Sequence, residues 1–519
     1  MGGKSGGRRR HRAQPGIVAV LATGLTILAA LAAPAAGPAG GAPTRPAALH
    51  PVHQVGSWIV DGEGRVVITH GLNLIWKTAP YYPPSFSAKD ARFLVSQGFT
   101  GARIGFLWAG VEPAPGTIDS GYVKEIARIN RILGDFGIRT LVDFHQDDYS
   151  ATYDGDGAPA WASVGSGALQ AFQSLWDDQR VDGKGLVQHF DAAWTAGAKA
   201  VGRSPNLLGL DLFNEPYDGS ATGCPVFSPC PQFEEGPLAS FYRQLIASVR
   251  KVAPSPILFY EPVPQLTGDA TALPAPLTGG TNLGFTFHYY DRACGLAPEP
   301  ATAAAQQAQD LRCSPAEAAA LDAGVAYARR AGVAIDFGEF GDSSNDTDDA
   351  NMVDLADRRF LNWTYWEYYT TGSSLAPGLL LDDDRPGSEA NVNTDVLDAL
   401  VVPYPELVAG TPRTSTFDRS AGVMRFTYRT APVDPHRSCP GAPTQIFVPE
   451  RDFPHGYRVK ATGARVVSSP TSAWVELVAR PDAARVTVTI SRATGSSTAV
   501  PTTAMDPHAP PLHCSADGG

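Results

Sequence analysis

Two glutamates stand directly after short apolar runs, where a buried strand would deliver a carboxyl group to a cleft. Glu215 follows the run 211–214 (DLFN), and Glu339 follows the run 333–338 (VAIDFG). Glycoside hydrolysis requires two facing carboxyl groups, because one must protonate the leaving oxygen while the other attacks or stabilises the anomeric carbon. In a retaining pair the groups are about 5 to 5.5 Å apart, and repulsion between like charges raises the pKa of one of them.

Polar side chains end or follow the other apolar runs of this region. They are Lys77, Arg103, Asp143, His145, Asp147, Asn214, Glu261, His288, Tyr290 and Trp366. Each has an ordinary structural interpretation when taken alone: Arg103 as an ion-pair partner, His288 as a core histidine, Trp366 as packing, and Glu261 as a loop acid before a proline. Their coincidence at nearly every predicted strand end favours catalysis.

Several of these side chains suit particular steps of such a reaction. Asn214 can hydrogen-bond a sugar 2-OH, an interaction that strengthens in the transition state. Tyr290 and Arg103 can keep an attacking carboxylate ionised, by a hydrogen bond and by charge. Asp143 and Asp147 are expected to bind sugar hydroxyls rather than to carry out the chemistry.

The elements that must position these residues alternate between strands and helices. The predicted strands are 66–74, 101–107, 139–145, 207–214, 257–260, 283–288, 333–337 and 362–366. Between them, Ser87 and Asp90 predict a helix N-terminus, and an apolar stripe from Val123 to Leu133 predicts a helix closed by Gly137. Eight such units predict an α/β fold, a (β/α)8 TIM barrel over residues 50–405, whose active groups cluster at the carboxyl ends of its strands.

The pattern changes after Gly410. Short alternating segments follow, such as 424–428, 445–448, 473–478 and 485–490, with turn residues between them. They predict a C-terminal antiparallel β-sandwich domain at residues 410–492. Residues 493–519 are rich in Ser, Thr and Pro and read as a tail.

The N-terminus predicts export. A basic run at 8–12 precedes an apolar run at 17–33, which ends in small residues, so residues 1–42 are expected to be a signal peptide and linker of a secreted protein. A permanent membrane anchor is the alternative, although the apolar run is short and rich in Ala and Gly.

The six cysteines fit an exported protein, in which an even number favours disulfides. They allow 15 pairings; proximity in the sequence favours Cys224–Cys230, Cys294–Cys313 and Cys439–Cys514. None has zinc-ligand spacing, so we expect no metal and no cofactor.

The overall charge argues against one class of partner. The chain has 519 residues and a formal net charge of −11 at pH 7. Nucleic-acid binding needs a basic face to neutralise phosphates, so we expect no nucleic-acid partner.

The ordered set of polar residues resembles glycoside hydrolase family 5, in the clan whose acid/base and nucleophile close the fourth and seventh barrel strands. The matching positions are Arg103, His145, Asn214, Glu215, His288, Tyr290, Glu339 and Trp366. The resemblance implies a retaining mechanism, with Glu215 as acid/base and Glu339 as nucleophile.

A narrower resemblance within that family is to the endoglycoceramidases of actinomycetes. It is carried by the segments 70–73 (HGLN) with Lys77, 143–147 (DFHQD), 213–216 (FNEP), 287–290 (FHYY), 337–341 (FGEFG) and 363–368 (WTYWEY). It implies cleavage between an intact glycan and ceramide, on a glycosphingolipid held at a membrane or micelle surface, by an enzyme expected to be monomeric. The expected substrate-binding residues are Lys77, Arg103, Asp143, His145, Asp147, Asn214, His288, Tyr290 and Trp366.

Two other functions remain open. One is a β-glucanase or mannanase acting on a polar polysaccharide, and the other is a carbohydrate-binding protein that has lost catalysis, which would lack one of the two carboxyls. Apolar residues near the expected mouth can line a lipid channel, stack on sugars or simply pack; they are Ile75, Trp76, Tyr81, Tyr82, Phe106 and Trp108.

Overall fold

A computed structural model gives the fold for most of the chain. It describes residues 49–225, 228–264, 273, 275–277, 280–291, 294, 300, 302–370, 378–437 and 439–493. The predicted signal peptide and linker (1–42), and all but the first residue of the predicted tail (493–519), lie outside the described residues.

The strands of the described chain fall into a barrel and separate antiparallel sheets. In chain order they are β1 (His53–Val55), β2 (Trp58–Val60), β3 (Val66–Val67), β4 (His70–Leu74), β5 (Gly101–Gly105), β6 (Arg139–Asp143), β7 (Arg180–Val181), β8 (Lys184–Gly185), β9 (Leu207–Asp211), β10 (Leu258–Tyr260), β11 (Leu283–His288), β12 (Ala334–Gly341), β13 (Trp363–Trp366), β14 (Tyr404–Val408), β15 (Thr411–Asp418), β16 (Val423–Arg429), β17 (Thr444–Phe447), β18 (Tyr457–Thr462), β19 (Ala464–Val466), β20 (Trp474–Ala479) and β21 (Arg485–Arg492).

Helices connect the barrel strands. They are α1 (Ala88–Ser96), α2 (Trp108–Val111), α3 (Ser120–Asp135), α4 (Ala168–Trp176), α5 (Leu186–Val201), α6 (Pro231–Phe233), α7 (Ala239–Arg250), α8 (Ala303–Ala331), α9 (Asp346–Arg358) and α10 (Thr394–Leu400). No helix among them combines the length and the apolar character that crossing a bilayer requires.

Eight parallel strands close into the predicted barrel, in the order β10-β11-β12-β13-β4-β5-β6-β9. Every residue of β4, β5, β6 and β9 is buried, as expected for strands covered on both faces. The predicted fold class is therefore confirmed. Several strands end earlier than predicted because the chain leaves the ladder where the polar residues begin, as at Asp143 and Asp211.

The local helix signals are also met. Ser87 caps α1 in a capping box with Asp90, and Gly98 follows the helix with a φ of 86°, a left-handed conformation that glycine adopts without strain. In α3 the buried face includes Ile126, Ile129 and Leu133. These caps set where each helix begins and ends, and so fix the lengths of the loops at the barrel mouth.

The antiparallel sheets do not follow the order of the chain. A seven-stranded sheet has the order β1-β2-β3-β14-β17-β20-β19, and a four-stranded sheet has the order β15-β16-β21-β18. The predicted division into residues 50–405 and 410–492 follows the chain, whereas the larger sheet combines N-terminal and C-terminal strands. The predicted strand 66–74 is accordingly two strands: Val66 and Val67 pair with β14, and the barrel begins at His70.

Two of the favoured disulfides are present, Cys224–Cys230 and Cys294–Cys313. Cys439 is also disulfide-bonded, and its predicted partner Cys514 lies outside the described residues. The first two bridges brace loops on the side of the barrel that carries the polar residues.

Candidate active site

The two predicted carboxyl groups meet over the barrel. Glu215 follows β9 and Glu339 lies within β12, so they come from the fourth and seventh strands of the barrel. A carboxylate oxygen of Glu215 lies within 4.8 Å of one of Glu339, and a ring nitrogen of His288 lies within the same distance of both. This separation is in the range of a retaining pair, for which about 5 to 5.5 Å between carboxyl groups is usual.

Glu339 is held by donors on both oxygens. The Arg103 guanidinium donates to Oε1, and the Tyr290 hydroxyl donates to Oε2 at 2.8 Å. Asn73 donates to the carbonyl of Gly338 at 3.1 Å and accepts from Arg103, which fixes the backbone beside Glu339. A hydrogen bond to the charged form of a carboxyl group stabilises that form, so this environment suits a carboxylate.

Glu215 occupies a different environment. Its backbone has a φ of 42°, which residues other than glycine seldom adopt. Gln146 holds this conformation by donating to the carbonyls of Asn214 and Glu215, both at 2.9 Å, and the Glu215 N–H donates to Glu261 at 2.9 Å. Burial raises the pKa of the Glu215 carboxyl, and the nearby Glu339 charge adds to this rise, so the group favours its protonated form.

His288 lies between the carboxyl groups. Its Nδ1 is 2.8 Å from Glu215 and 3.4 Å from Glu339, and its Nε2 is 3.3 Å from Glu261. Although burial lowers it, the charges of Glu261 and Glu339 raise the pKa of His288 well above its ordinary value. The imidazole is therefore a cation that ties three carboxyl groups together.

Arg103 is the centre of a buried network of acids. Its side chain is completely buried and lies within 3.2 Å of Asp143, Asp211, Glu261 and Glu339. One guanidinium cannot neutralise four carboxylates in a low-dielectric interior. Burial and the neighbouring Glu261 charge raise the pKa of Asp211 well above its ordinary value, against the opposing effect of Arg103.

Asn214 is positioned by the same network. Its Oδ1 accepts from Arg103 at 2.7 Å, and its Nδ2 donates to the carbonyl of Gln146 at 2.8 Å. An amide nitrogen carries two hydrogens. The second hydrogen of Nδ2 is the one that Asn214 can donate to a sugar hydroxyl.

A second polar group lies beside the carboxyl pair. The Lys77 ammonium contacts Asp147, lies 3.7 Å from Asp156, and stands 4.6 Å from the ring centroid of Trp366. Trp366 stacks on His145, with ring centroids 5.4 Å apart. Although burial raises it, the Lys77 charge holds the pKa of Asp147 well below its ordinary value. A ring, an ammonium and a carboxylate at one rim form a surface suited to a sugar.

Four of the predicted substrate-binding residues are fully buried: Arg103, Asp143, His145 and Asn214. Asp143 lies 3.1 Å from Arg103 and 2.8 Å from His145, so both of its oxygens face protein cations. In the structure Asp143 positions Arg103 and His145. That Asp143 contacts a sugar stays a prediction.

The apolar residues expected near the mouth behave differently from a lipid channel. Ile75, Phe106 and Trp108 are buried in the core, and the Trp108 indole donates to Glu112 at 3.0 Å. A groove lined by Ile75 and Trp108 is therefore not present, because both side chains point into the packing around the barrel. Trp76, Tyr81 and Tyr82 are half-buried and can reach the surface.

Two residues of the site, Gln146 and Asp156, were not singled out in the sequence, and a third, Glu261, was given the ordinary interpretation of a loop acid. Glu261 is buried and contacts Glu215, His288 and Arg103. Gln146 holds the turn at Glu215, and Asp156 has a pKa raised to about 8 by burial and by Asp147. Glu261 does follow β10 directly, which is the signal that could have identified it.

Four groups of described side chains have metal-ligand spacing, and in two of them the cysteines are joined in disulfides. The other two are Glu215, His288 and Glu339, and His145, Asp147 and Asp156. In each of these a protein cation already contacts a carboxylate: Arg103 contacts Glu339 and Lys77 contacts Asp147. One carboxylate in each of these two groups is therefore already paired with a cation of the protein.

Comparison with family models extends these findings beyond single residues. Residues 60–372 match the model described as Cellulase (glycosyl hydrolase family 5). Residues 403–491 match the Glycoside hydrolase family 5 C-terminal domain. The first match contains the barrel and both carboxyl groups, and the second contains the C-terminal strands.

Similar proteins match over most of their length. Endoglycoceramidase I of Rhodococcus hoagii (strain 103S) is 30% identical over 473 residues, which are 86% of this chain and 89% of the relative. A solved structure of endo-glycoceramidase II from Rhodococcus sp. has 27% identity and a TM-score of 0.64, covering 86% of this chain and 100% of the other. The ganglioside GM3 complex of that enzyme has 25% identity and a TM-score of 0.66, covering 84% of this chain and 100% of the other.

Proposed function

The chain belongs to glycoside hydrolase family 5, and from that premise we propose that it hydrolyses the β-glycosidic bond between the oligosaccharide and the ceramide of glycosphingolipids. The observation that carries the chemistry is the pair Glu215 and Glu339, whose oxygens lie within 4.8 Å of each other in opposite hydrogen-bonding environments. The reaction is proposed to be retaining and to act within the glycan–lipid linkage rather than on terminal sugars.

Glu339 is the proposed nucleophile. Its carboxylate attacks the anomeric carbon of the sugar next to ceramide and forms a covalent glycosyl-enzyme, while the bond to the ceramide oxygen breaks. Tyr290 and Arg103 hydrogen-bond the carboxylate and hold it in place before attack. Because both donors come from buried or half-buried side chains, little reorganisation is needed as charge leaves Glu339.

Glu215 is the proposed acid and base. In the first step its proton passes to the ceramide oxygen, which leaves as the free hydroxyl. In the second step the Glu215 carboxylate takes a proton from water, and that water attacks the anomeric carbon and releases Glu339. The raised pKa of Glu215, caused by burial, keeps the proton available for the first step.

Two observations support a glycolipid substrate. The rim formed by Lys77, Asp147 and Trp366 offers a ring and charged hydrogen-bonding groups to the glycan. The similarity to endoglycoceramidases extends across 86% of the chain. Ile75 and Trp108 are buried in the core, so they do not support binding of the ceramide. We assign the apolar contacts with the ceramide to the half-buried aromatic residues at the mouth, Trp76, Tyr81 and Tyr82.

We also propose that the enzyme is secreted and works as a monomer at a membrane or micelle surface. The basic and apolar N-terminal runs and two disulfides among the described residues support an extracellular location. Detection of the mature protein in culture medium, with cleavage between residues 35 and 42, tests the export step.

Incubation with lactosylceramide or ganglioside GM3 in detergent micelles tests the activity. The expected products are the whole oligosaccharide and free ceramide, resolved by mass spectrometry. Sequential loss of single sugars, or cleavage of a β-glucan in place of the glycolipid, would reject the proposal. Glu339→Gln is the matched inactive control, because it keeps the size of the side chain and removes the attacking charge.

The roles of the two glutamates can be separated with aryl glycosides. Glu215→Ala should lose turnover of glycolipids but keep it for a substrate with a good leaving group, since such a group departs without a proton. Glu339→Gln should lose both. Near-normal hydrolysis by the Glu339 variant would reject the assignment of the nucleophile.

A further inference from the structure

The outer face of the four-stranded sheet carries an unusual arrangement of cations. Along β15, β16, β18 and β21 the side chains alternate, and Phe426, Val488 and Ile490 represent the face that packs inward. The residues of the opposite face are polar or exposed. Its charged members are Arg425, Arg429, Arg458, Lys460, Arg485 and Asp418. This surface, here called the basic sheet face, has five cations and one acid on a chain whose net charge is −11.

The register of the strands arranges the basic sheet face in rows. Thr414 lies opposite Thr427, Thr427 opposite Thr487, and Thr487 opposite Thr462, so four threonines cross all four strands in one line. The next row, written from edge to edge, is Thr416, Arg425, Thr489 and Lys460. Neighbouring strands are about 4.8 Å apart, so hydroxyls and cations are spread over a flat area about 14 Å wide.

Like charges are left uncompensated on this face. Arg429 lies directly opposite Arg485, and like charges at directly opposed positions destabilise a sheet. The ion pairs of the described residues include none made by Arg425, Arg429, Arg458, Lys460 or Arg485. The repulsion between these arginines lowers the free energy of unfolding. A bound anion would reduce this repulsion.

The flanking segments of the chain are poorly suited to neutralise this face. Residues 494–519 contain two acids, Asp506 and Asp517, and residues 1–12 contain five bases and no acid. A second copy of the chain would bring the same cations to the contact. An external anion therefore fits better than either.

The side chains of the face also restrict the kind of anion. None of the outward residues on these four strands is aromatic, whereas neutral glycans and single-stranded nucleic acids are bound by stacking on aromatic rings. A flat field of guanidinium and hydroxyl donors instead matches a flat layer of phosphates. We propose that the basic sheet face docks the protein on an anionic phospholipid surface. This contact goes beyond the proposed hydrolysis and holds whichever glycoside the barrel cleaves.

Cosedimentation with vesicles that contain no glycolipid tests the contact separately from catalysis. The full-length protein should bind phosphatidylcholine–phosphatidylserine vesicles and not vesicles of phosphatidylcholine alone. The combined variant R425Q/R429Q/R485Q should bind on the order of 100-fold more weakly, because each cation near an anionic surface strengthens binding by a factor of about 5 and the three factors multiply. Raising the salt concentration should weaken the wild-type contact in the same direction.

A matched control removes the same number of charges elsewhere. R131Q/R203Q/R329Q changes three exposed arginines outside the four-stranded sheet and should bind the vesicles as the wild type does. Both variants should keep wild-type activity on a soluble aryl glycoside, which shows that the barrel is folded. Equal losses of binding in the two variants, equal binding to both kinds of vesicle, or retention on DNA or heparin without vesicle binding would each overturn the proposal.

Discussion

The hydroxyl of Tyr290 offers the sharpest test of how Glu339 is kept ready for attack. It donates to Oε2 of Glu339 at 2.8 Å, while Arg103 occupies Oε1. Tyr290→Phe removes this one donor and leaves the ring, so the cavity around the carboxylate changes little in shape. The substitution therefore isolates one hydrogen bond to a charged group.

The size of the effect follows from that bond. A hydrogen bond to a charged group contributes about 1.5 to 3 kcal/mol. If it acts on the attacking carboxylate, its loss lowers kcat/KM by roughly 10- to 150-fold.

The assay is kcat/KM on a soluble aryl glycoside as a function of pH, for wild type, Tyr290→Phe and Tyr289→Phe. Tyr289 is the neighbouring tyrosine, and no hydrogen bond from its hydroxyl to Glu339 is found among the described contacts, so its variant should keep the wild-type profile. If Tyr290→Phe left kcat/KM unchanged, or if both variants behaved alike, the hydrogen bond would not be what prepares the carboxylate for attack.

Three further changes test other parts of the structure. Glu261→Gln should lower kcat/KM by roughly 10- to 100-fold, since the charged acceptor of the Glu215 N–H is lost; an unchanged steady-state rate would show that Glu215 is held without it. Burial raises the pKa of Asp336 to about 7, so the folded protein binds the extra proton and stability falls as the pH rises from about 4 to 7. In thermal unfolding between pH 4 and 7, the stability of Asp336→Asn should fall less steeply with pH than that of the wild type. Equal slopes for the two proteins would contradict the assignment. Replacing Cys294 and Cys313 together by Ser should lower the free energy of unfolding by about 3 kcal/mol in urea titrations, given the separation of 19 residues; no change would mean that the bridge does not constrain the unfolded chain.

Local patterns in the sequence were sufficient for the barrel and for its two central carboxyl groups. Apolar runs of strand length alternate with capped helices, and the first polar residue after each run marks the end of a strand. Because parallel strands point the same way, Glu215 and Glu339 had to emerge at the same end of the barrel. Two disulfides, Cys224–Cys230 and Cys294–Cys313, were predictable for a related reason, since close cysteines find each other at low entropic cost.

Local sequence patterns do not predict whether a residue is exposed when its burial depends on segments far away in the chain. Ile75 and Trp108 follow predicted strands, as residues of the barrel mouth would, but barrel closure buries both. Glu261 shows the converse: its sequence context is that of a loop acid, and only the packing of β9 beside β10 brings it to the N–H of Glu215. Exposure at a strand end is set by how far the adjacent strands continue, which no local pattern encodes.

The sequence by itself determined the alternation of strands and helices, the end of the barrel at which chemistry occurs, and the residue types available there. Tertiary structure alone decided the strand register, and with it the joining of β3 to β14, the distance between the carboxyl groups, and the rows of threonine and arginine on the outer sheet. The physical reason is that periodicity and capping act over a few residues, whereas register and burial are set by contacts between segments that the chain brings together only when the sheets close.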